Sequence, residues 1–341
     1  MTAPAQTPRV DWDAEIEAAR GRIAGLAVRT PLPQSPELSR RAGVPVLLKP
    51  ELVQPSGSFK LRGAANRMTK ALADGPVPGF VTFSTGNHAR AVAWVGTRLD
   101  VPTTVCVSRR VPADKVLALR RLGATVRVEG ASQDEAGEIA RGLERERGLV
   151  MVHPFDDPAV IAGQGTIGSE LLEDSDDLEA VLVPLSGGGL IGGIAAAVKS
   201  RRPDVRVIGL SPVEGAAMVQ SVRAGHPIDV EEADTLADSL NGGIGLENAH
   251  TFALVRDRVD ELVLVEEPEI ARGVLAALKW ERYLIEGAAA IGLAAVMSGR
   301  VELRGPTALI LTGRQIGLET LASLAAASRE WLLDDDDEAF G

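Results

Sequence analysis

The 341-residue chain holds six lysines, and Lys60 occupies a setting that a surface lysine does not need. It follows the turn-forming Pro55-Ser56-Gly57-Ser58 and the aromatic Phe59, at the point where a helical stretch begins. Lys49 closes a strand-like run before Pro50, while Lys70, Lys115, Lys199 and Lys279 lie in helical stretches among polar neighbours and read as solvated. An amine acts as a nucleophile or a base only while neutral, and desolvation or nearby positive charge promotes that state. Arg62 is a candidate source of such charge. On these residues alone a structural role explains Lys60 as well as a chemical one.

Three glycine-containing loops change that balance. Ser84-Thr85-Gly86-Asn87-His88 separates the run GFVTF from the helical ARAVAWVG. Small hydroxyl and amide groups at a helix start form an anion site from unpaired N–H donors and the helix dipole. The structural alternative is a helix cap supplied by Ser84 or Thr85. Ser186-Gly187-Gly188-Gly189-Leu190 follows AVLVP and precedes another helical stretch. Successive glycines let backbone N–H groups approach a phosphate. This loop lacks the Lys-Ser/Thr ending of a nucleoside-triphosphate loop, and no fitting acidic residue follows for a dinucleotide ribose, so a compact monophosphate suits it best. Thr312-Gly313-Arg314 follows TALIL and places a hydroxyl at a strand's carboxyl end, where open α/β sheets bind ligands. An amine, a monophosphate cradle, a carboxylate-sized anion loop and a strand-end hydroxyl together fit one cofactor, pyridoxal phosphate.

The elements that must position these residues show as alternating patterns. Short apolar runs lie at 45–49, 80–84, 102–107, 124–128, 149–152, 180–184, 206–210, 261–265 and 307–311, with helical spacing at 11–27, 61–73, 87–99, 113–122, 132–147, 190–201 and 268–280. This alternation predicts parallel strands with helices on both faces, and nine strands predict two sheets. The composition, 45% apolar, 24% charged and only 3% aromatic, suits such an α/β chain. A net charge of −11 argues against a broad nucleic-acid or anionic-membrane surface. Cys106 is the only cysteine, which leaves no internal disulfide or thiolate metal cluster. No long apolar run or signal-peptide core is found, so the expected location is cytoplasmic. Residues 1–10 and the acidic end, 334–341, are expected to be disordered tails.

The same segments resemble the fold-type II pyridoxal-phosphate enzymes of the serine/threonine dehydratase and serine racemase branch, over roughly residues 20–325. The resemblance implies a tryptophan synthase β-like fold with two open, twisted, mostly parallel sheets flanked by helices. It implies a large cofactor-binding domain from 20–53 plus 157–325, an inserted small substrate domain at 54–156, and a homodimer. By resemblance, SFKLRGA makes Lys60 the cofactor lysine with Phe59 beside the ring, and STGNHA is the substrate-carboxylate loop of Ser84, Thr85, Gly86, Asn87 and His88. Asn87 would also bond the cofactor's phenolic oxygen. Ser186, Gly187, Gly188, Gly189 and Leu190 match the phosphate loop, Thr312 the partner of the pyridine nitrogen, and Glu286 a glutamate near the cofactor that opens a helix. The run 237–265 is most similar to hydroxyectoine-utilisation dehydratase-like proteins, which implies a hydroxylated diamino acid as substrate.

Several positions depart from the family pattern. Thr85 stands where serine racemases keep a serine that serves the opposite substrate face, and its methyl group crowds that role. Ser239 replaces a usual glycine beside the ring, and Ser211 replaces a glutamate that helps bind a cation in relatives, so no metal site is expected. Arg314 is read as facing solvent or a structural partner, and His88 as structural in part. The neutral Thr312 makes a weaker electron sink than an aspartate, which favours prompt loss of a β-hydroxyl. The expected activity is therefore β-elimination from a small 3-hydroxy amino acid to a 2-oxo acid and ammonia, with Lys60 and Thr85 as catalytic residues. The alternatives are a racemase or a β-replacement synthase on the same scaffold, or a non-catalytic cofactor-binding protein.

Overall fold

The computed structural model describes residues 10–333, so the expected tails at 1–10 and 334–341 fall, Val10 apart, outside the described residues. All nine apolar runs form strands: β1 (Val46–Lys49), β2 (Phe80–Phe83), β3 (Thr103–Val107), β4 (Thr125–Val128), β5 (Val150–Met151), β6 (Ala180–Pro184), β7 (Arg206–Pro212), β8 (Glu261–Val265) and β9 (Thr307–Ile310). They build a five-stranded sheet in the order β1-β9-β6-β7-β8 and a four-stranded sheet in the order β4-β3-β2-β5. Every pairing between them is parallel.

Parallel strands need crossover connections, and helices supply them. The helices are α1 (Trp12–Ile23), α2 (Pro36–Ala42), α3 (Lys60–Asp74), α4 (Asn87–Leu99), α5 (Ala113–Arg121), α6 (Gln133–Arg147) and α7 (Pro158–Asp174). They continue with α8 (Gly189–Arg201), α9 (Ala217–Ala224), α10 (Thr251–Arg258), α11 (Glu267–Ala276), α12 (Gly287–Met297), α13 (Leu318–Ala327) and α14 (Arg329–Leu333). In β6, successive side chains go to opposite faces. Ala180 and Leu182 join a core with α11 and α12, and Val181 and Val183 join one with α7 and α8. None of the described helices is long and apolar enough to cross a membrane.

Helix α7 has no counterpart in the sequence reading. Its segment PAVIAGQGTIGSELLED is apolar or small on every side, so it lacks the one-faced stripe that marks an amphipathic helix. Residues 159–171 are all buried, because α7 lies between α1, α3 and α8. Glycine makes that approach possible: a Cβ on Gly163 would stand 2.6 Å from the Arg62 carbonyl. Helix α1 stops at Ile23, short of the expected 27.

A buried charge network ties these layers together and corrects two expectations. Arg62 donates Nε and Nη2 to Glu51 at 2.8 Å each, and Nη1 and Nη2 to Glu170 at 2.6 and 2.9 Å. Lys49, fully buried, pairs with Glu170 at 2.7 Å and donates to the Thr30 carbonyl at 2.7 Å. Arg62 is thus neutralised on both sides and is no source of free positive charge for Lys60. Of the lysines read as solvated, Lys199 keeps 15% side-chain exposure and pairs with Asp260 at 2.6 Å, and Lys70 pairs with Glu15. Lys279 lies over the Trp331 ring, while Lys115 is exposed as expected.

Removing one member of a buried ion network leaves an unpaired charge, which costs about 3–5 kcal/mol. Glu170→Ala is expected to lose that much in urea unfolding, against under about 1 kcal/mol for Arg256→Ala in the exposed pair with Asp257. Similar losses for the two variants would show that the network is not an anchor.

Candidate active site

Each sheet reverses its strand order once, and a reversal opens a crevice at the strands' carboxyl ends. In the five-stranded sheet the chain steps from β6 to β7 to β8 in one direction, while β9 lies on the other side of β6. In the four-stranded sheet β2, β3 and β4 run one way and β5 lies on the other side of β2. The segments leaving β6, β9, β2 and β5 all line one cavity of about 990 Å³, and so does Lys60. Three of these segments are the glycine-containing loops; the fourth, residues 153–155, is not among the residues singled out by sequence.

Lys60 reaches the cavity because the chain before α3 is stitched to the end of β9. Ser58 bridges Gly313, and the Phe59 N–H donates to the Thr312 carbonyl at 3.0 Å. The Lys60 amine donates to the Pro154 carbonyl at 2.7 Å, and the Phe59 ring centre lies 5.2 Å from it. Burial pushes the amine down to about 8, against an opposing pull from Glu286. Desolvation therefore supplies the effect for which Arg62 was a candidate.

At the triple-glycine turn, Gly188 adopts φ 84° and starts α8 without any side-chain cap. The first N–H groups of α8 are left for whatever the cavity holds. Packing behind the turn also demands glycine. A Cβ on Gly187 would overlap the Phe155 ring, and one on Gly189 would stand 2.8 Å from the Phe155 carbonyl. Ser186 and Leu190 complete this wall.

Helix α4 begins in the same way. Its N-cap is Gly86, with no side-chain bond, and the Ser84 hydroxyl accepts only the Gly86 N–H at 3.4 Å. The alternative of a Ser84 or Thr85 cap fails, and the uncapped start faces the cavity with Ser84, Thr85 and Gly86. Asn87 donates Nδ2 to both Glu286 oxygens, at 2.8 and 3.0 Å. Glu286 opens α12 and accepts the Gln315 N–H at 2.9 Å. Burial pushes its carboxyl up, while the bonds from Asn87 and Gln315 pull it back. No side chain fits at Gly313, where a Cβ would meet Glu286 Oε1 at 2.6 Å.

His88 lines the cavity but uses its Nε2 on the Val152 carbonyl at 2.9 Å, and burial pushes it down to about 3. His153 accepts the Phe155 and Asp156 N–H groups at Nδ1, at 3.3 and 2.9 Å, and burial pushes it down to about 4. Burial favours the neutral form of both rings, and the Nδ1 atom of His88 is left without a partner at the cavity wall. Ser239 lines the cavity, Arg314 is exposed, and buried Ser211 donates to the Leu185 carbonyl at 2.6 Å. Among the described residues no three His, Cys, Asp or Glu side chains gather as a metal-ligand group.

Four buried polar atoms of residues on the cavity wall, Thr312 Oγ1, Asn87 Oδ1, His88 Nδ1 and Arg90 Nε, have no hydrogen-bond partner. With a depressed amine and an uncapped helix start, the first two suit pyridoxal phosphate: an aldehyde for Lys60, a phosphate for α8, and polar ring substituents for these two atoms.

Comparison with known proteins agrees. The family model described as "Pyridoxal-phosphate dependent enzyme" matches residues 23–313. A Sinorhizobium fredii protein named provisionally as a threonine dehydratase is 47% identical over 304 residues, 89% of this chain and 92% of that one. The L-threonine ammonia-lyase of Geobacter sulfurreducens is 41% identical over 320 residues, 92% of this chain and 79% of that one. The structure of maize serine racemase superposes with a TM-score of 0.86 at 31% identity, covering 93% of this chain and 98% of that one.

Two predictions follow from the titrating groups. Capture of pyridoxal phosphate by the cofactor-free protein, read from absorbance, is expected to rise with pH to a midpoint of about 8; a midpoint near 10.5 would mean a solvated amine. His88 and His153 ionise more readily in the unfolded chain, so protons favour unfolding. Stability is expected to be full above about pH 6.5 and to fall as pH drops toward 4, and His88→Gln should flatten that slope. An unchanged slope in urea titrations would contradict the buried neutral ring.

Proposed function

The chain belongs to the pyridoxal-phosphate dependent enzyme family, and from that premise we propose that it is a β-eliminating ammonia-lyase converting a 3-hydroxy amino acid to a 2-oxo acid and ammonia. The observation that carries this reading is a depressed Lys60 amine facing the uncapped starts of α4 and α8 across one cavity. When bound, pyridoxal phosphate supplies an aldehyde for the amine and an electron-withdrawing ring that acidifies the substrate's Cα proton.

The chain's own residues do the rest. Near pH 8 about half of the free Lys60 is a neutral amine, which suits it to take that proton. The Pro154 carbonyl holds one of its N–H bonds and leaves the lone pair free to face the cavity. The open N–H groups of the 84–88 loop receive the substrate carboxylate, with Thr85 beside the reacting centre. Phe59, Asn87, Glu286 and Thr312 would border the ring of the cofactor, and Ser186, Gly187, Gly188, Gly189 and Leu190 would hold its phosphate. Thr312 offers only a neutral hydroxyl, which cannot balance a protonated ring nitrogen as a carboxylate would. That favours elimination over racemisation, although a racemase is among the structural relatives.

The finer reading is that the substrate is a hydroxylated diamino acid from hydroxyectoine breakdown. Asp238 and Glu232, on the cavity wall, form no ion pair among the described residues and suit a second ammonium group. The domain division at 54–156 is supported by the strand distribution, since all strands of the four-stranded sheet fall inside that span. The homodimer rests on the family resemblance.

A panel of threonine, serine and hydroxylated diaminobutyrates, assayed for ammonia and 2-oxo acid, tests the reading. At least one is expected to be deaminated, and Lys60→Ala to lose on the order of 10³-fold or more of that rate. Inverted or substituted amino acid as the only product would replace it with the racemase or synthase reading.

A further inference from the structure

We propose that residues 153–157 form a positioning strap: pinned to α10 and α7 by Asp156 and Asp157, it holds the Pro154 carbonyl on Lys60 and Phe155 behind the triple-glycine turn. The two ends of the cofactor site are thereby kept in register from Asp156 and Asp157, neither of which lines the cavity. The inference rests on the reading of Lys60 and the glycine turn as the cofactor site.

The strap leaves β5 at the crevice of the four-stranded sheet and closes on itself through His153 Nδ1, which accepts the Phe155 and Asp156 N–H groups. Its first contact is with the nucleophile, through the Pro154 carbonyl at 2.7 Å. Its second is with the turn, where the Phe155 ring fills the space beside Gly187 and the Phe155 backbone the space beside Gly189.

Its pins lie farther out. The Asp156 carboxylate accepts the N–H groups of Ala249, His250 and Thr251 at 2.7, 2.9 and 2.9 Å. Helix α10 has no cap from its own N-cap residue, His250, so a carboxylate from across the fold satisfies its start. Thr251 in turn packs behind the turn, 3.0 Å from where a Cβ on Gly188 would stand. Asp157 accepts the N–H groups of Ala159 and Val160 at 2.8 and 2.9 Å and pairs with Arg67 at 3.1 Å. Arg67 lies on α3, the helix that Lys60 begins. Neither Asp156 nor Asp157 lines the cavity, so each acts through the strap as a positioning residue.

The test uses the full chain freed of cofactor and needs no substrate, so it stands apart from the activity assays. Two quantities are measured: the pH midpoint of Lys60 capture, with pyridoxal as the phosphate-free probe, and the Kd for pyridoxal phosphate. Asp156→Ala is expected to raise the midpoint by about one unit, as water reaches the amine, and to weaken pyridoxal phosphate about tenfold. Asp156→Asn, which keeps an acceptor oxygen, should move both in the same direction by less, and it serves if the alanine variant does not fold. Phe155→Leu should raise the Kd and leave the pyridoxal midpoint in place. Asp11→Ala, which removes a remote cap from α1, is the control and should change neither. If both Asp156 variants lower the Tm yet leave midpoint and Kd at the wild-type values, Asp156 is only a helix cap and the strap is refuted.

Discussion

The arrangement depends on an amine held by a carbonyl instead of a carboxylate. A buried lysine paired with an acid is locked as an ammonium ion, whereas burial beside a neutral acceptor leaves its neutral form accessible. The carboxylate that acts on Lys60 is otherwise engaged. Glu286 is bonded to Asn87 and to the Gln315 N–H, while Glu51 and Glu170 are claimed by Arg62, two residues further along the same helix. The Arg62 network therefore fixes α3 in the fold without imposing a counter-ion on the amine.

The second constraint is topological. Two parallel sheets each have one reversal of strand order, and the loops leaving the strands at both reversals open onto a single cavity. One sheet supplies the triple-glycine turn and Thr312, and the other supplies the 84–88 loop and the 153–157 strap. Two helix starts, α4 and α8, reach the cavity without side-chain caps and offer backbone N–H groups to an anion, beside the cavity-lining Arg90, Lys115 and Arg141. Donors of this kind favour an anion whatever the net charge of the chain, here −11.

Much of this was legible in the residues. Every strand was marked by a β-branched or apolar run, and three of the four strand-end loops on the cavity by glycine beside hydroxyl or amide groups; the segment 238–245, which also lines it, was not read that way. Helix α7 was not legible, because a helix buried on all sides carries no amphipathic period. The Pro154 contact was hidden for a different reason: its functional atom is a backbone carbonyl, which no side-chain type announces. The glycines of 187–189 were read for what they open toward a phosphate, and Phe155 packed behind them supplies an equal reason for their presence. Arg62 illustrates the opposite error. Its charge was visible, but the two acids that cancel it lie 11 and 108 residues away in sequence.

The central claim is that this one amine captures the cofactor aldehyde with its phosphate in the triple-glycine turn. Borohydride reduction of the full chain saturated with pyridoxal phosphate, followed by peptide mapping, tests it most directly. The account predicts a single pyridoxyl group on Lys60. Label on the exposed Lys115, or spread over several lysines with Lys60 unmodified, would contradict it.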